Sequence, residues 1–280
     1  MRLHVVGCAG LGAALRPAPF YRMKVRVLGC SGGIGASGGQ PLRTTSMLVD
    51  SDILVDAGTG VAELSLAELA AIDHVFVTHT HLDHIACLPL ISDSVGDMRG
   101  QPLVVHVTAE SLAILREHLF NDLIWPDFTE LPSPGRAFVR LQEIGLGQTT
   151  ILGGRRITAL PASHTVPAVG YHLDSGSASL VYSGDTHICD AFWRELNKID
   201  NLRYLIMESA FSDSELQLAT VSRHLCPTLL ASELAKWERR AELFITHLKP
   251  GSQALIMQEI EALLPEFQPR MLADDYVFDL

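Results

Sequence analysis

Residues 74–84 read HVFVTHTHLDH, an apolar strand-like run that breaks into three histidines and an aspartate between His79 and His84. Nothing else in the chain limits the fold so strongly. His79 and His81 are two apart, so a short continuation of extended backbone points both the same way. Asp83 and His84 then follow in a turn or a helix start. Two nitrogens on one side, with an oxygen and a nitrogen on the other, suit two divalent cations side by side. Zn²⁺ is the first expectation, and Mn²⁺ or Fe accept the same donors. One cation needs three or four protein ligands and two need more, so the fold has to bring further donors to this loop. Three positions share its context of an apolar strand followed by a ligating side chain. They are His164 after ITALPAS, Asp185 at the end of SLVYSGD and His247 at the end of LFITH. Any one of them alone reads as an ordinary satisfied residue; the joint pattern carries the inference. His4, His74, His106, His118, His172 and His187 lack it and read as structural.

The surrounding pattern says what could support such a loop. Short β-rich runs fall at 25–29, 46–50, 52–56, 74–78, 103–107, 156–160, 168–174, 179–185, 204–209 and 242–247. Several are too apolar for a sheet with one wet face, so both faces are expected to be covered. Helical spacing appears at 61–71, 109–120, 190–199, 227–240 and 252–263. Strands in antiparallel-looking clusters with helices between them predict two packed sheets with helices outside. At 280 residues and 48% apolar composition the chain can bury a large core. No apolar run reaches the roughly 18 residues of a membrane span. Residues 1–22 read as a leader ahead of Met23, and 23–280 as one metallo-hydrolase domain. The stretches 86–101 and 121–136 read as surface loops, where specificity is expected, the second as a candidate lid. Five cysteines with no CxxC pair argue against a disulfide framework and for a reducing, cytoplasmic setting. A net charge of −11 argues against bulk nucleic-acid binding but leaves room for one small anion at a local cationic site.

Three more stretches bear on the substrate. LGCSGGIG (28–35) is a glycine loop after the first strand, where the amides of Ser31, Gly32 and Gly33 could approach an anion, or a simple tight turn. IMESAF (206–211) puts Glu208 at a buried strand end, where an acid needs a partner. SRHLCP (222–227) puts His224 just before a helix. Glu208 and His224 could pair, the acid orienting and charging the imidazole for a phosphate oxygen or a leaving alkoxide. Arg223 beside it is either a phosphate contact or a solvated helix-entry charge.

HTHLDH followed by His164, Asp185 and His247 resembles the metallo-β-lactamase superfamily, over residues 23–263. The resemblance implies an α+β fold, a four-layer αββα sandwich with its metal site at one edge of the sheets. By position, His79, His81 and His164 would hold one cation, Asp83, His84 and His247 the other, and Asp185 would bridge them. Asp56 in VDAG would brace the histidine loop. Within that superfamily CSGG, HTHLDHIAC, ESAF, SRHLCP and THLKP resemble, in order and spacing, the class II cyclic nucleotide phosphodiesterases. Cys87 and Arg223 stand where glycine is usual there, and Cys226 where threonine is. The implied activity is hydrolysis of 3′,5′-cyclic nucleotides, cAMP or cGMP, to 5′-nucleotides by a hydroxide bridging two ions. Asp83 would also accept a proton, Glu208 would orient His224, and His224 would assist the leaving oxygen. Family habit implies a homodimer.

Two other hydrolases share the metal motif, and the first of them shares the Glu–His pairing as well. A ribonuclease Z-like enzyme carries, in its bacterial members, a long RNA-gripping arm between the third and fourth metal motifs. Only 21 positions separate His164 from Asp185, too few for an arm plus two strands. A hydrolase of another small ester, a thioester or a lactone would have no use for Glu208 and His224. A non-catalytic binding module would be expected to lack at least one of the seven donors, and all seven are present.

Overall fold

The computed structural model describes residues 22–280. The leader expected over 1–22 therefore lies, apart from Arg22, outside the described residues.

In chain order the strands are β1 (Lys24–Gly29), β2 (Gly35–Ser37), β3 (Gln40–Leu42), β4 (Ser46–Val49), β5 (Ile53–Val55), β6 (His74–Phe76), β7 (Leu103–Val107) and β8 (Val139–Glu143). They continue with β9 (Thr149–Leu152), β10 (Arg155–Pro161), β11 (Val169–Asp174), β12 (Ser179–Tyr182), β13 (Leu202–Glu208), β14 (Glu242–Thr246), β15 (Arg270–Met271) and β16 (Val277–Asp279). The helices are α1 (Leu66–Ala71), α2 (Leu82–Ile85), α3 (Leu88–Val95), α4 (Ala109–His118), α5 (Asp190–Leu196), α6 (Leu216–Ser222), α7 (Pro227–Leu234) and α8 (Gln253–Leu263).

Two seven-stranded sheets form, in the orders β16-β1-β4-β5-β6-β7-β8 and β15-β14-β13-β12-β11-β10-β9. The antiparallel reading of the strands is only half right. β5 through β8 pair in parallel, as do β12 through β15. Parallel neighbours need crossovers, and the helices between these strands supply them. Burial on both faces explains the all-apolar runs. One core lies between the sheets, where Val25, Val55 and Phe76 meet Tyr171, Ile206 and Phe244. A second lies between the first sheet and α3 and α4, through Val75, Leu88, Ile91 and Leu115. A third lies between the second sheet and α5, α7 and α8, through Leu205, Trp193, Leu230 and Ile256. These three cores separate four layers, αββα. Each fully buried aliphatic or aromatic side chain contributes about 1.5–3 kcal/mol.

Several elements depart from expectation. The helix expected over 61–71 is a 3₁₀ turn, Thr59–Glu63, and then α1, because Ser65 and Glu68 form a capping box that restarts the helix. Residues 86–101 are not simply a loop: half of them form α3, with Leu88, Ile91 and Val95 buried under the first sheet. The stretch 121–136 is irregular, but Phe128 pins it to that same core while Leu123 and Ile124 stay exposed at its tip.

The strands that matter most end together. β6 leads into the histidine loop, and β10, β12 and β14 end just before His164, Asp185 and His247. The inter-sheet contact is tied at that edge: Tyr171 Oη donates to the Val77 carbonyl at 2.9 Å, and the Val169 amide donates to the Thr78 carbonyl at 3.0 Å.

Candidate metal centre

The seven predicted donors converge in two groups. Donor atoms of His79, His81 and His164 lie within 4.8 Å of one another, and so do those of Asp83, His84, Asp185 and His247. In the first group His81 Nδ1 sits 3.2 Å from His79 Nε2 and 3.1 Å from His164 Nε2. In the second, Asp185 Oδ2 is 3.3 Å from His84 Nε2 and Asp185 Oδ1 is 3.3 Å from His247 Nδ1. Asp83 Oδ2 is 3.7 Å from His247 Nε2. Asp185 also reaches the first group, with Oδ2 3.6 Å from His79 Nε2, so it stands between the two.

The partners on the far side of each ring fix which nitrogen faces the cluster. His164 Nδ1 donates to the Arg223 carbonyl at 2.9 Å, leaving the Nε2 lone pair inward. Asp56 is fully buried, and it accepts from the Thr78 amide at 2.7 Å, from Thr78 Oγ1 at 2.8 Å and from His84 Nδ1 at 2.7 Å. Thr78 gives its hydroxyl proton to Asp56, so its oxygen accepts from His79 Nδ1 at 3.0 Å. One carboxylate thus orients a donor in each group, His84 directly and His79 through Thr78.

The centre is dry. His79, His84, Asp185 and His247 are each 1% exposed or less. His84 Nε2, Asp185 Oδ1 and both ring nitrogens of His247 are buried without a hydrogen-bond partner. A buried polar atom left so costs about 1–3 kcal/mol. Four at one point form the donor set that a divalent cation satisfies, and imidazole with carboxylate is borderline zinc-type chemistry. Electrostatics agree. Burial holds His164 down to about 4, His247 to about 3 and His79 well below the usual imidazole range, so their lone pairs are available. Burial works against an ionised Asp185, yet the protonated His84 beside it carries it well below the carboxylate range. His84 goes the other way: burial lowers it, but Asp185 and Asp56 together hold a proton on it. A cation held by His84 would take the place of that proton.

Glu208 and His224 pair as expected. His224 Nδ1 is 2.9 Å from Glu208 Oε1, and the Thr186 and Leu225 amides donate to the same carboxylate at 3.0 and 3.2 Å. A ring nitrogen of His224 lies within 4.8 Å of donors of His164 and Asp185. Burial pushes Glu208 up, offset in part by His224. Burial pulls His224 down, but the Glu208 carboxylate outweighs it and the imidazole ends above its usual value.

The glycine loop behaves differently from an open anion nest. The Ser31 amide donates to the Arg43 carbonyl at 2.9 Å and the Gly32 amide to the Leu248 carbonyl at 3.1 Å. Both are occupied by backbone. Gly32 instead packs under a donor: a Cβ there would meet the His247 carbonyl at 2.4 Å. Gly33 sits against Pro250, and Ser31 Oγ is buried without a partner. Arg223 is exposed, caps α6 at φ 54°, and donates from Nη1 to the His164 carbonyl at 3.1 Å. Its left-handed backbone explains why glycine suits this position. Cys87 and Cys226 are buried N-caps of α3 and α7, packed in apolar clusters.

Sequence reasoning missed Thr78, which reads as one more strand residue, and Lys249, whose Nζ donates to the Gly32 carbonyl at 2.8 Å. It also passed over His187, whose Nδ1 donates to the His224 carbonyl at 2.9 Å. His74 and His106 pair with each other at 3.1 Å, outside both donor groups. His4 lies outside the described residues.

Comparison with known proteins follows the same lines. The sequence profile described as "Beta-lactamase superfamily domain" matches residues 51–261. A Yersinia pestis protein named "Probable 3',5'-cyclic-nucleotide phosphodiesterase" is 27% identical over 221 residues, 68% of this chain. The match spans 63% of that relative's length. "Probable metallo-hydrolase YhfI" of Bacillus subtilis is 29% identical over 235 residues, 81% of this chain and 87% of that one. The crystal structure of YhfI superposes with a TM-score of 0.72 at 20% identity, covering 93% of this chain and all of that one. Unliganded yeast PDE1 superposes at 0.74 with 17% identity and the same coverage. At these identities the two structures establish a shared fold.

Proposed function

The chain belongs to the metallo-β-lactamase superfamily of metal-dependent hydrolases, and on that premise we propose that it is a phosphodiesterase with two divalent cations that converts 3′,5′-cyclic nucleotides to 5′-nucleotides. The observation that carries the substrate class is the Glu208–His224 pair, set at 2.9 Å beside the donor cluster. A polarised imidazole at that place serves a phosphoryl oxygen or a leaving alkoxide.

In this reading His79, His81 and His164 hold one cation, Asp83, His84 and His247 hold the other, and Asp185 is shared. Zn²⁺ fits the donors best. When bound, the cations supply an activated water near neutral pH and stabilise charge on the phosphoryl oxygens. The protein does the rest. Asp56 and Thr78 keep the His84 and His79 lone pairs turned inward. Asp83, half-buried where His79, His84, His164, Asp185 and His247 are buried, would take up a proton from the nucleophile. Glu208 holds His224 by Nδ1, so its other nitrogen can donate to the departing 3′ oxygen. The Arg223 guanidinium, anchored on the His164 carbonyl, adds positive charge for an anionic substrate. The stretch between His164 and Asp185 is taken up by β11 and β12, which speaks against an RNA-gripping arm there. A thioester or lactone hydrolase leaves the Glu208–His224 pair without a task.

The test is chromatography of cAMP and cGMP after incubation with metal-loaded protein, with His81→Ala as control. The expected result is 5′-monophosphate from the wild type and none from the variant. No conversion, with two ions per chain verified, would remove the cyclic-nucleotide assignment.

A further inference from the structure

We propose a second anion site, for a small di- or polyphosphate, in the groove at the opposite end of the second sheet from the metal centre. The groove, of ≈ 740 Å³, is lined by Arg203, Arg240, Arg270, Glu242 and Phe267 among others. Leu202 and Glu242 begin β13 and β14, whereas Glu208 and His247 stand at the other ends of the same strands. A seven-residue strand therefore separates the two places by about 20 Å. The groove is no extension of the catalytic site.

Its charge runs against that of the molecule. The chain carries a net charge of −11, yet this groove gathers three arginines against one glutamate. Glu242 pairs with Arg270. Arg203 Nη1 donates to the Asp279 backbone carbonyl at 3.1 Å, while the Asp279 carboxylate turns to Arg22 at 4.0 Å. Among the described residues no carboxylate lies within ion-pair distance of Arg203 or Arg240. Two guanidinium charges are left for an outside anion.

The three arginines are exposed, but each has an aromatic neighbour. Each lies over an aromatic ring: Arg203 over Tyr204 at 5.0 Å, Arg240 over Phe267 at 4.4 Å and Arg270 over Phe244 at 4.3 Å. Phe267 stacks in turn on Trp237, at 5.9 Å and 9°, and Trp237 belongs to the core beneath the second sheet. A guanidinium that rests its face on a ring keeps its N–H edge for planar, bidentate contact with phosphate oxygens. Ordering these side chains in advance lowers the entropy lost on binding. A single phosphate would engage one fork; a groove lined by three guanidinium groups suits a ligand with two or more phosphates.

Calorimetric titration with sodium pyrophosphate tests this. Metal-loaded wild type, His81→Ala, Arg203→Gln/Arg240→Gln and Glu242→Gln are compared in low salt. A binding event should persist in His81→Ala, so that it is separate from the catalytic centre. It should weaken by about tenfold or more in the double variant, the worth of a charged hydrogen bond, with nucleotide hydrolysis unchanged. Glu242→Gln should tighten it by about two- to fivefold, a gain that misfolding cannot imitate. Pyrophosphate binding that is absent in His81→Ala, equal in the double variant, or unimproved in Glu242→Gln would overturn the site.

Discussion

Asp56 accepts the Nδ1 proton of His84 at 2.7 Å with both side chains fully buried, and so it sets the direction of a lone pair two bonds away in the metal cluster. Asp56→Asn keeps the size but can present an amide N–H to His84 or Thr78. Loss of such a partner typically lowers metal affinity or activity about 10–100-fold. Metal content after dialysis, together with the hydrolysis rate, checks this; a variant with wild-type zinc retention would mean that Asp56 is only packing.

His224→Ala and Glu208→Gln should each lower kcat by about 10²–10⁴ at full metal occupancy. Because Glu208 acts through His224, the double variant should fall little below the worse single one. Additive losses would show two separate roles.

Gly32→Ala drives a Cβ to within 2.4 Å of the His247 carbonyl, a backbone atom with no room to yield. A destabilisation of about 1–3 kcal/mol is expected, with loss of metal from the Asp83–His84–His247 side. Gly33→Ala meets only Pro250 ring atoms at 3.1 Å and should be milder. Chemical denaturation of both variants with and without zinc separates them.

Arg223→Gly removes a side chain from a backbone at φ 54°, which should return about 1 kcal/mol of backbone strain. It also removes the guanidinium. A thermal midpoint no lower than wild type, with a raised KM for the phosphodiester, is the expected result; an unchanged KM would exclude Arg223 from substrate binding.

The metal-stripped protein should lose stability on acidification. Buried His164 and His247 are held to about 4 and about 3, whereas an unfolded imidazole titrates near 6.5. As pH falls below 6.5 the unfolded chain takes up protons first, so their contribution, full above 6.5, is lost on the way down to those values. His84 and His224 are raised instead, so their contribution is full below 6.5 and fades as pH rises through their elevated values. Depressed histidines outnumber raised ones, since His74, His79, His81, His106 and His172 are also lowered. Thermal midpoints at pH 8, 7, 6 and 5 should therefore decline below about 6.5. A flat profile would contradict it.

The ten strands legible in the sequence are those with continuous apolar runs. Those missed are edges or short pieces: β8 and β9 alternate buried or half-buried with exposed positions at the sheet margins, and β15 has two residues. Parallel pairing was illegible because an apolar run fits either direction once both faces are covered. α3 reads as a loop because Pro89, Ser92, Asp93 and Ser94 break its apolar count, yet its Leu88, Ile91 and Val95 form one face. At the centre, side chains of the right chemistry at strand ends could be found by pattern. The Asp56–Thr78–His79 relay could not, since it depends on which way one hydroxyl turns.

The donors are divided between the sheets in chain order. Four, His79 to His84, follow β6, and three, His164, Asp185 and His247, follow strands of the second sheet. During synthesis, at about 5–20 residues per second, the growing chain makes the first four long before the last. No partial chain ending before residue 247 has the complete set, and under the proposed two-cation reading the two sheets have to dock before either cation would be fully enclosed. On that reading cation uptake would be a late event that reports completion of the fold, and a truncated or misdocked chain would offer exposed histidines in place of a closed centre.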